Sequence, residues 1–544
     1  MNTTFTISGQ IVDLLADRIF PGTLCVENGV IKEIREEPIA PMQYVLPGFV
    51  DAHVHIESSM LVPSEFARLA TCHGTVATVS DPHEIANVLG MEGVRFMIDN
   101  GKRVPFKFFF GAPSCVPATT FETSGHTLDT KDIARLMEMD DIYYLAEMMN
   151  YPGVLAQDAE ILRKIAAAKQ TGKPIDGHAP NLSGEDLKRY VAAGISTDHE
   201  CFTEAEAMEK ISLGMKIHIR EGSAAKNFEA LIPLMKSHPG VLMFCSDDKH
   251  PDDLVRGHVN QLVKRAVAKG YDTLNVLKAA SLNAIRHYGL PVGLLQQGDD
   301  ADFIVTDNLT DFNVLQTYIK GVLVAENGKP CMERITTETP NFFNAFNLQM
   351  ADLAVSDKGK SVKVIECIDG QLITRCSIEK PSVRNGWMVS DPERDLLKMI
   401  VLNRYQPGKP AIAFIRNFGL KRGAIASSVA HDSHNIVAVG ACDEDIVRAV
   451  NLLIAHKGGV VAYDAERSAL LPLPVAGLMS NEDGYRVAQG YETADRLAHD
   501  FGTTLTAPFM TLAFMALLVI PELKLSDKGL FDVTRFAFTE LEES

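Results

Sequence analysis

One tryptophan, no Cys-x-x-Cys pair and no apolar run long enough to cross a bilayer are found among the 544 residues. The nine cysteines (positions 25, 72, 115, 201, 245, 331, 367, 376 and 442) are odd in number and scattered, which argues against a disulfide framework and a zinc ribbon. A reducing, cytoplasmic compartment is expected. The longest apolar run, Phe509 to Ile520, contains Thr511 and lies between Pro508 and Pro521, the length of a buried core helix. The start, MNTTFTISGQIVDLLADRIF, has no basic segment followed by an apolar block, so no secretory signal is expected. A basic patch is also missing. The 70 Asp+Glu outweigh 52 Lys+Arg for a net charge of -18, which repels phosphate backbones and anionic lipid, so neither nucleic acid nor membrane is expected as a partner. What remains is an ordinary globular composition, 46% hydrophobic and 22% charged, and at this length two or three domains are expected.

Residues 1–47 read as short alternating strands, with Asn28-Gly29 inside LCVENGVIKEI as a tight hairpin turn. The same pattern returns around Asn327-Gly328. One small β domain built from 1–47 plus 291–335 is therefore expected, with the middle of the chain inserted between its halves. That middle, 48–290, holds eight apolar runs of strand length, each followed by a helical pattern: FVDAHVHI, TVATVSD, FKFFFGA, IYYLAEMM, KPIDGHA, ISTDHE, KIHIRE and VLMFCSD. Helix 184–193 is supported locally by Ser183 as cap, the shared face of Leu187, Tyr190 and Val191, and Gly194 as terminator. Eight β/α alternations fit an α/β fold of the TIM (β/α)8 barrel kind, with an open doubly wound sheet as the rival. Residues 336–544 mix Gly-rich strands with amphipathic helices, the pattern of a separate C-terminal α/β domain.

His53 and His55 stand two apart in a strand, so their rings share a face, roughly 6.5 to 7 Å apart at Cα. Later strands end in ligand-type residues: Glu147, His178, His199 and Asp247. Parallel barrel strands share one C-terminal face, so these six side chains should converge at one mouth. Such a set buried together is costly without cations, which points to a metal site and to two ions in it. Asp81 and His83, after the second strand, should reach the same mouth to orient water, relay protons or bind a further cation, unless Asp81-Pro82 only makes a turn. Arg220, Glu221 and Ser223 end the seventh strand and are candidates for substrate hydrogen bonds, with a surface ion pair as the alternative. His431, Asp432, His434 and Asn435 form a second polar cluster that either closes over the mouth or makes a self-satisfied turn.

LPGFVDAHVHIESSM resembles the opening strand of the amidohydrolase superfamily. Together with SDPHE, LAEMMN, DGHAP, REGS, CSDDKHPDDL, ASSVAHDSHNI and PFMTLAFMALLVIPELKLSDKGLFDV, it resembles the bacterial adenine deaminase family over nearly the whole chain. The resemblance implies a distorted TIM barrel with a β domain and a C-terminal domain. It also implies hydrolysis of adenine to hypoxanthine and ammonia by a metal-bridged hydroxide, in purine salvage. His53, His55, Glu147, His178, His199 and Asp247 would hold Mn2+ or Fe2+, two per active site, with Glu147 where many relatives carry a carboxylated lysine. Glu147 then either bridges the metals or carries a proton, and Asp247, Glu147, Asp81 and His83 are the catalytic candidates. A purine base as partner and a homo-oligomer are expected. Two alternatives stay open: a cyclic-amide hydrolase of the dihydroorotase or hydantoinase type, and a catalytically silent metal- or purine-binding relative.

Overall fold

The computed structural model describes residues 4–543. Four strands open the chain: β1 (Thr4–Asp13), β2 (Arg18–Glu27), β3 (Val30–Glu36) and β4 (Tyr44–Pro47). Asn28 and Gly29 both have positive φ (53° and 82°), the left-handed pair that a two-residue hairpin requires, and they join β2 to β3.

Eight parallel strands follow: β5 (Phe49–Val54), β6 (Thr75–Ser80), β7 (Lys107–Ala112), β8 (Ile142–Met148), β9 (Ile175–Gly177), β10 (Thr197–Asp198), β11 (Lys216–Arg220) and β12 (Leu242–Cys245). Their hydrogen bonding splits into β5–β9 and β10–β12, so the barrel is distorted. The seams are narrow. Between β12 and β5, Asp247 N donates to His53 O at 2.9 Å; between β9 and β10, Ser196 N donates to Ile175 O at 2.9 Å. At the second seam a Cβ on Gly177 would lie 2.3 Å from Thr197 O, so glycine allows the two short strands to touch. Helices with one apolar face cover the strands. In Gly184–Ala192, Leu187 and Tyr190 are buried. Ser183 does occupy the N-cap position of that helix but makes no capping bond; Gly184 N donates instead to Glu209 Oε1 at 2.7 Å.

The chain then returns to the first sheet with β13 (Phe303–Thr306), β14 (Val314–Ile319), β15 (Val322–Glu326) and β16 (Lys329–Pro330). The spatial order is β16-β15-β14-β13-β4-β1-β2-β3, so strands from both flanks of the barrel share one sheet. Asn327 and Gly328 turn there with φ 49° and 72°.

A second eight-stranded sheet lies beyond, beginning at Val362–Cys367 and ending at Ser468–Pro472. Its helix Asp443–Ala455 buries Ile446, Ala449, Val450 and Leu453 against the sheet. This region is pinned to the barrel by Ser480 N donating to Met60 O (2.8 Å), by Arg68 to Asp483 (2.9 Å) and by Asn435 Nδ2 to Thr123 O (2.9 Å). Among the described residues no helix is long and apolar enough to cross a membrane; Phe509 to Ile520 is buried in this region.

Lys524 is wholly buried there, its Nζ donating to Leu372 O (2.6 Å) and Phe514 O (3.0 Å), and burial pushes its amine down to about 7. Between that value and the ordinary 10.5 the unfolded chain binds the extra proton, so this residue makes stability rise with pH. In Lys524→Met the apparent Tm should rise less between pH 7.5 and 9.5 than in the wild type, a difference of at most about 1.4 kcal/mol per pH unit. Parallel pH slopes in differential scanning fluorimetry would refute this.

Candidate metal centre at the barrel mouth

Strand alternation puts His53 and His55 on the inner face at the end of β5, and their Nε2 atoms lie 3.2 Å apart. Asp247, two residues beyond β12, adopts φ 56° and is held by backbone bonds to both sides of His53 and His55. Its Oδ1 lies 3.2 Å from His55 Nε2 and 3.5 Å from His53 Nε2. Glu147, at the end of β8, faces two ways. Its Oε1 lies 3.3 Å from His55 Nε2, and its Oε2 lies 2.7 Å from His178 Nδ1 and 3.2 Å from His199 Nε2. All six side chains are buried.

Asp81 and His83 join the same cluster from the end of β6: His83 Nδ1 lies 3.2 Å from Asp81 Oδ2 and 3.6 Å from Glu147 Oε1. Arg220, the last residue of β11, donates to Asp247 Oδ2 at 2.6 Å and to Glu200 Oε2 at 3.1 Å. Glu221 and Ser223 are not brought into the cluster. Glu221 pairs with Arg265 at 2.6 Å near the surface, and the Ser223 hydroxyl donates to Asp253 Oδ2 at 2.5 Å.

The residue types fit divalent cations. Two imidazole Nε2 atoms meet at 3.2 Å with carboxylate oxygens crowding the same space, so lone pairs of nitrogen and oxygen converge there. His178 Nε2, Asp81 Oδ2 and both ring nitrogens of His83 are buried without a hydrogen-bond partner among the described residues. Sets of nitrogen and oxygen donors within 4.8 Å of one another recur through the cluster: His53, His55 and Asp247; His53, Glu147 and His199; His178, His199 and Glu200. Hard and borderline divalent metals accept such donors.

Without cations, protons on the imidazoles balance the carboxylates. Burial alone would raise Glu147 and Asp247, yet His178 holds the first, and Arg220 with His53 and His55 holds the second, well below the usual carboxylate range. For His178 burial disfavours the charged ring, but Glu200 and Glu147 outweigh it and lift it to about 9. His83 is also raised, Asp81 and Asp432 overcoming its burial. Burial, and then Glu84, push Glu57 up to about 8.

Several polar groups at this mouth escape a reading of strand ends. Glu200 lies one residue past His199, 3.5 Å from its Nε2, and closes the ion pair with Arg220. Its only cue in the sequence is adjacency to His199. Glu84 and Asp248 each follow a candidate residue, and Ser58 Oγ links them at 2.9 and 2.5 Å. The polar cluster of the C-terminal region does meet the barrel: Asp432 Oδ1 lies 3.6 Å from His83 Nε2, and His431 Nδ1 lies 3.3 Å from Glu84 Oε1.

Comparison with known proteins places these observations in a lineage. The Amidohydrolase family model matches residues 44–324, and the Adenine deaminase C-terminal domain model matches 371–537. The chain is 54% identical to an adenine deaminase from Methanosarcina mazei, covering 98% of both chains. It is 56% identical to one from Sulfurovum sp. (98% of this chain, 99% of that one), and 54% identical to one from Salinibacter ruber (99% of each).

Arg220 offsets two buried carboxylates at once. Its replacement in Arg220→Met should destabilise the metal-free protein by about 3 to 5 kcal/mol, the cost of leaving buried charge unpaired. Added Mn2+ should recover part of that loss. Urea midpoints with and without the metal measure both, and a midpoint equal to wild type in chelator would sink the assignment.

Proposed function

Because the chain belongs to the adenine deaminase family of amidohydrolases, we propose that it hydrolyses adenine to hypoxanthine and ammonia. The observation that carries the chemistry is Glu147, whose two oxygens each face a different group of histidines. Two cations, Mn2+ or Fe2+, would be held by His53, His55 and Asp247 on one side and by His178 and His199 on the other, with Glu147 between them. Divalent cations, when bound, would supply Lewis acidity that lowers the pKa of water.

The side chains supply the rest. Adenine C6 is a weak electrophile, and its amine leaves only after protonation. Asp247 Oδ2 is held by Arg220 and Oδ1 faces the reacting space, where besides holding a cation it has a second lone pair to take a proton from water and pass it to the departing nitrogen. Attack at C6 moves electron density onto N1. Glu147, with both oxygens engaged toward His55, His178 and His199, is a poor donor for that atom. His83 stands beside Glu147, 3.6 Å from its Oε1, and its Nε2 has no hydrogen-bond partner among the described residues, so its ring is placed to carry the proton. Arg220 acts by fixing Asp247 and Glu200 rather than by touching the purine, while Glu221 and Ser223 lie off the reacting face. The partner is a purine base, and the same reading takes the working form as a homo-oligomer.

Relatives of more than half identity along almost the full length favour this reading over a cyclic-amide hydrolase. The Mn2+-loaded chain should release equal amounts of ammonia and hypoxanthine from adenine. Turnover of dihydropyrimidines or hydantoins with adenine untouched would reverse the assignment.

A further inference from the structure

All six candidate metal ligands are buried, none more than 5% exposed, so a substrate needs a passage to reach them. A cavity of about 200 Å³ ends on the cluster itself. Glu200 lines it, is 1% exposed, and lies 3.5 Å from His199 Nε2 and 3.8 Å from His178 Nδ1. Burial grades along the lining: Asn181 is exposed, Tyr151 and Phe202 are half-buried, and Leu182 and Glu200 are buried. The cavity therefore leads from the surface to the edge of the metal cluster. Larger clefts elsewhere do not. The one between the helices Pro251–Arg256 and Gly484–Asp500, about 480 Å³, and the one beside Leu14 and Lys278, about 630 Å³, are lined by no residue of the cluster.

The two walls of this cavity come from different parts of the chain. Loops after β8, β9 and β10 supply Tyr151, Leu182 and Phe202, and the C-terminal region supplies Leu372, Ile373, Ile520 and Pro521. The C-terminal wall is tied into one piece: Thr374 N donates to Pro521 O (3.0 Å), Thr374 Oγ1 to Leu523 O (2.9 Å) and Lys524 Nζ to Leu372 O (2.6 Å). The barrel wall is tied to its own helix, with Asn181 N and Phe202 N both donating to Glu206, at 2.9 and 3.2 Å. Among the described residues no hydrogen bond joins the lining of one wall to that of the other. A seam of this kind can part without leaving a buried polar group unpaired.

We infer that the purine enters and hypoxanthine leaves through this seam, between Phe202 on the barrel side and Ile373 on the C-terminal side. Its mainly apolar walls suit the faces of a flat heterocycle. Glu200 is the one charged residue of the lining, and its carboxylate is already held by Arg220. The route follows from the cavity, while the identity of what travels along it rests on the adenine deaminase reading of the site.

An obstruction in a passage slows entry and exit alike and leaves equilibrium affinity unchanged, whereas damage to a binding site weakens affinity. The test uses the Mn2+-loaded full chain carrying Ile373→Cys or, on the opposite wall, Phe202→Cys. Each is assayed before and after reaction with a methyl and with a benzyl methanethiosulfonate. Wild type, whose Cys331 and Cys376 are already exposed, receives the same treatment as control. The benzyl adduct should lower kcat/KM for adenine, and both the association and dissociation rates of hypoxanthine, by about 10-fold or more, and the methyl adduct by less than about 2-fold. Hypoxanthine Kd, metal content and melting temperature should stay at the values of the unmodified variant, and treated wild type should keep its rates. If one variant fails to fold, the other decides. Complete benzylation of the introduced thiol, verified by mass, with these rates unchanged overturns the route. So does slowed turnover accompanied by a weakened hypoxanthine Kd, which would put these residues in the binding site instead. A wild type that releases no ammonia from adenine overturns the adenine deaminase reading beneath it.

Discussion

Carboxyl groups gathered in a buried space are the constraint on which this molecule is built. Glu57, Asp81, Glu84, Glu147, Glu200, Asp247, Asp248 and Asp432 are all buried around one barrel mouth, and Arg220 reaches two of them. Burying ionised groups without compensation is prohibitive, so such a gathering persists only with imidazoles, protons or cations among them. The imidazoles are there, and two of them meet nitrogen to nitrogen. The geometry is that of a chelating cavity whose framework must hold groups that would otherwise push one another apart.

That framework comes from three parts of the chain. Parallel strands bring their C-terminal ends to one side, which turns positions far apart in sequence into neighbours. The seam between β12 and β5 is made by the same residues that supply ligands: the backbone of Asp247 bonds to His53 and His55 while its carboxylate faces their rings. Fold closure and site assembly are thus one event at this seam. The C-terminal region presses His431 and Asp432 onto Glu84 and His83, and so completes the wall of the mouth rather than standing apart from it.

Much of the site was legible because a strand has a simple rule. Side chains alternate, so His53 and His55 share a face, and the regular spacing of Glu147, His178 and His199 marks successive β/α units. The same rule, applied one residue further, explains why Glu221 departs from the cluster. Arg220 ends β11 facing inward, so Glu221 alternates outward, where Arg265 meets it. Ser223 lies past the strand, where no alternation holds, and bonds locally to Asp253. Glu200 went unseen because it follows a ligand at a strand end that had already turned, and only Arg220 reveals which way it points.

Read alone, the chain determined the eight-fold alternation, the two Asn-Gly turns and the converging histidines, since each depends on local backbone preference and a period of two. The pairing of Glu84 with His431, of Glu200 with Arg220 and of His83 with Asp432 was decided only by tertiary structure. These contacts join segments that no periodicity relates, and their formation depends on how two folded surfaces meet. The break of the barrel sheet between β9 and β10 was likewise invisible, because it comes from the closure of a ring of strands and not from the propensity of any one of them.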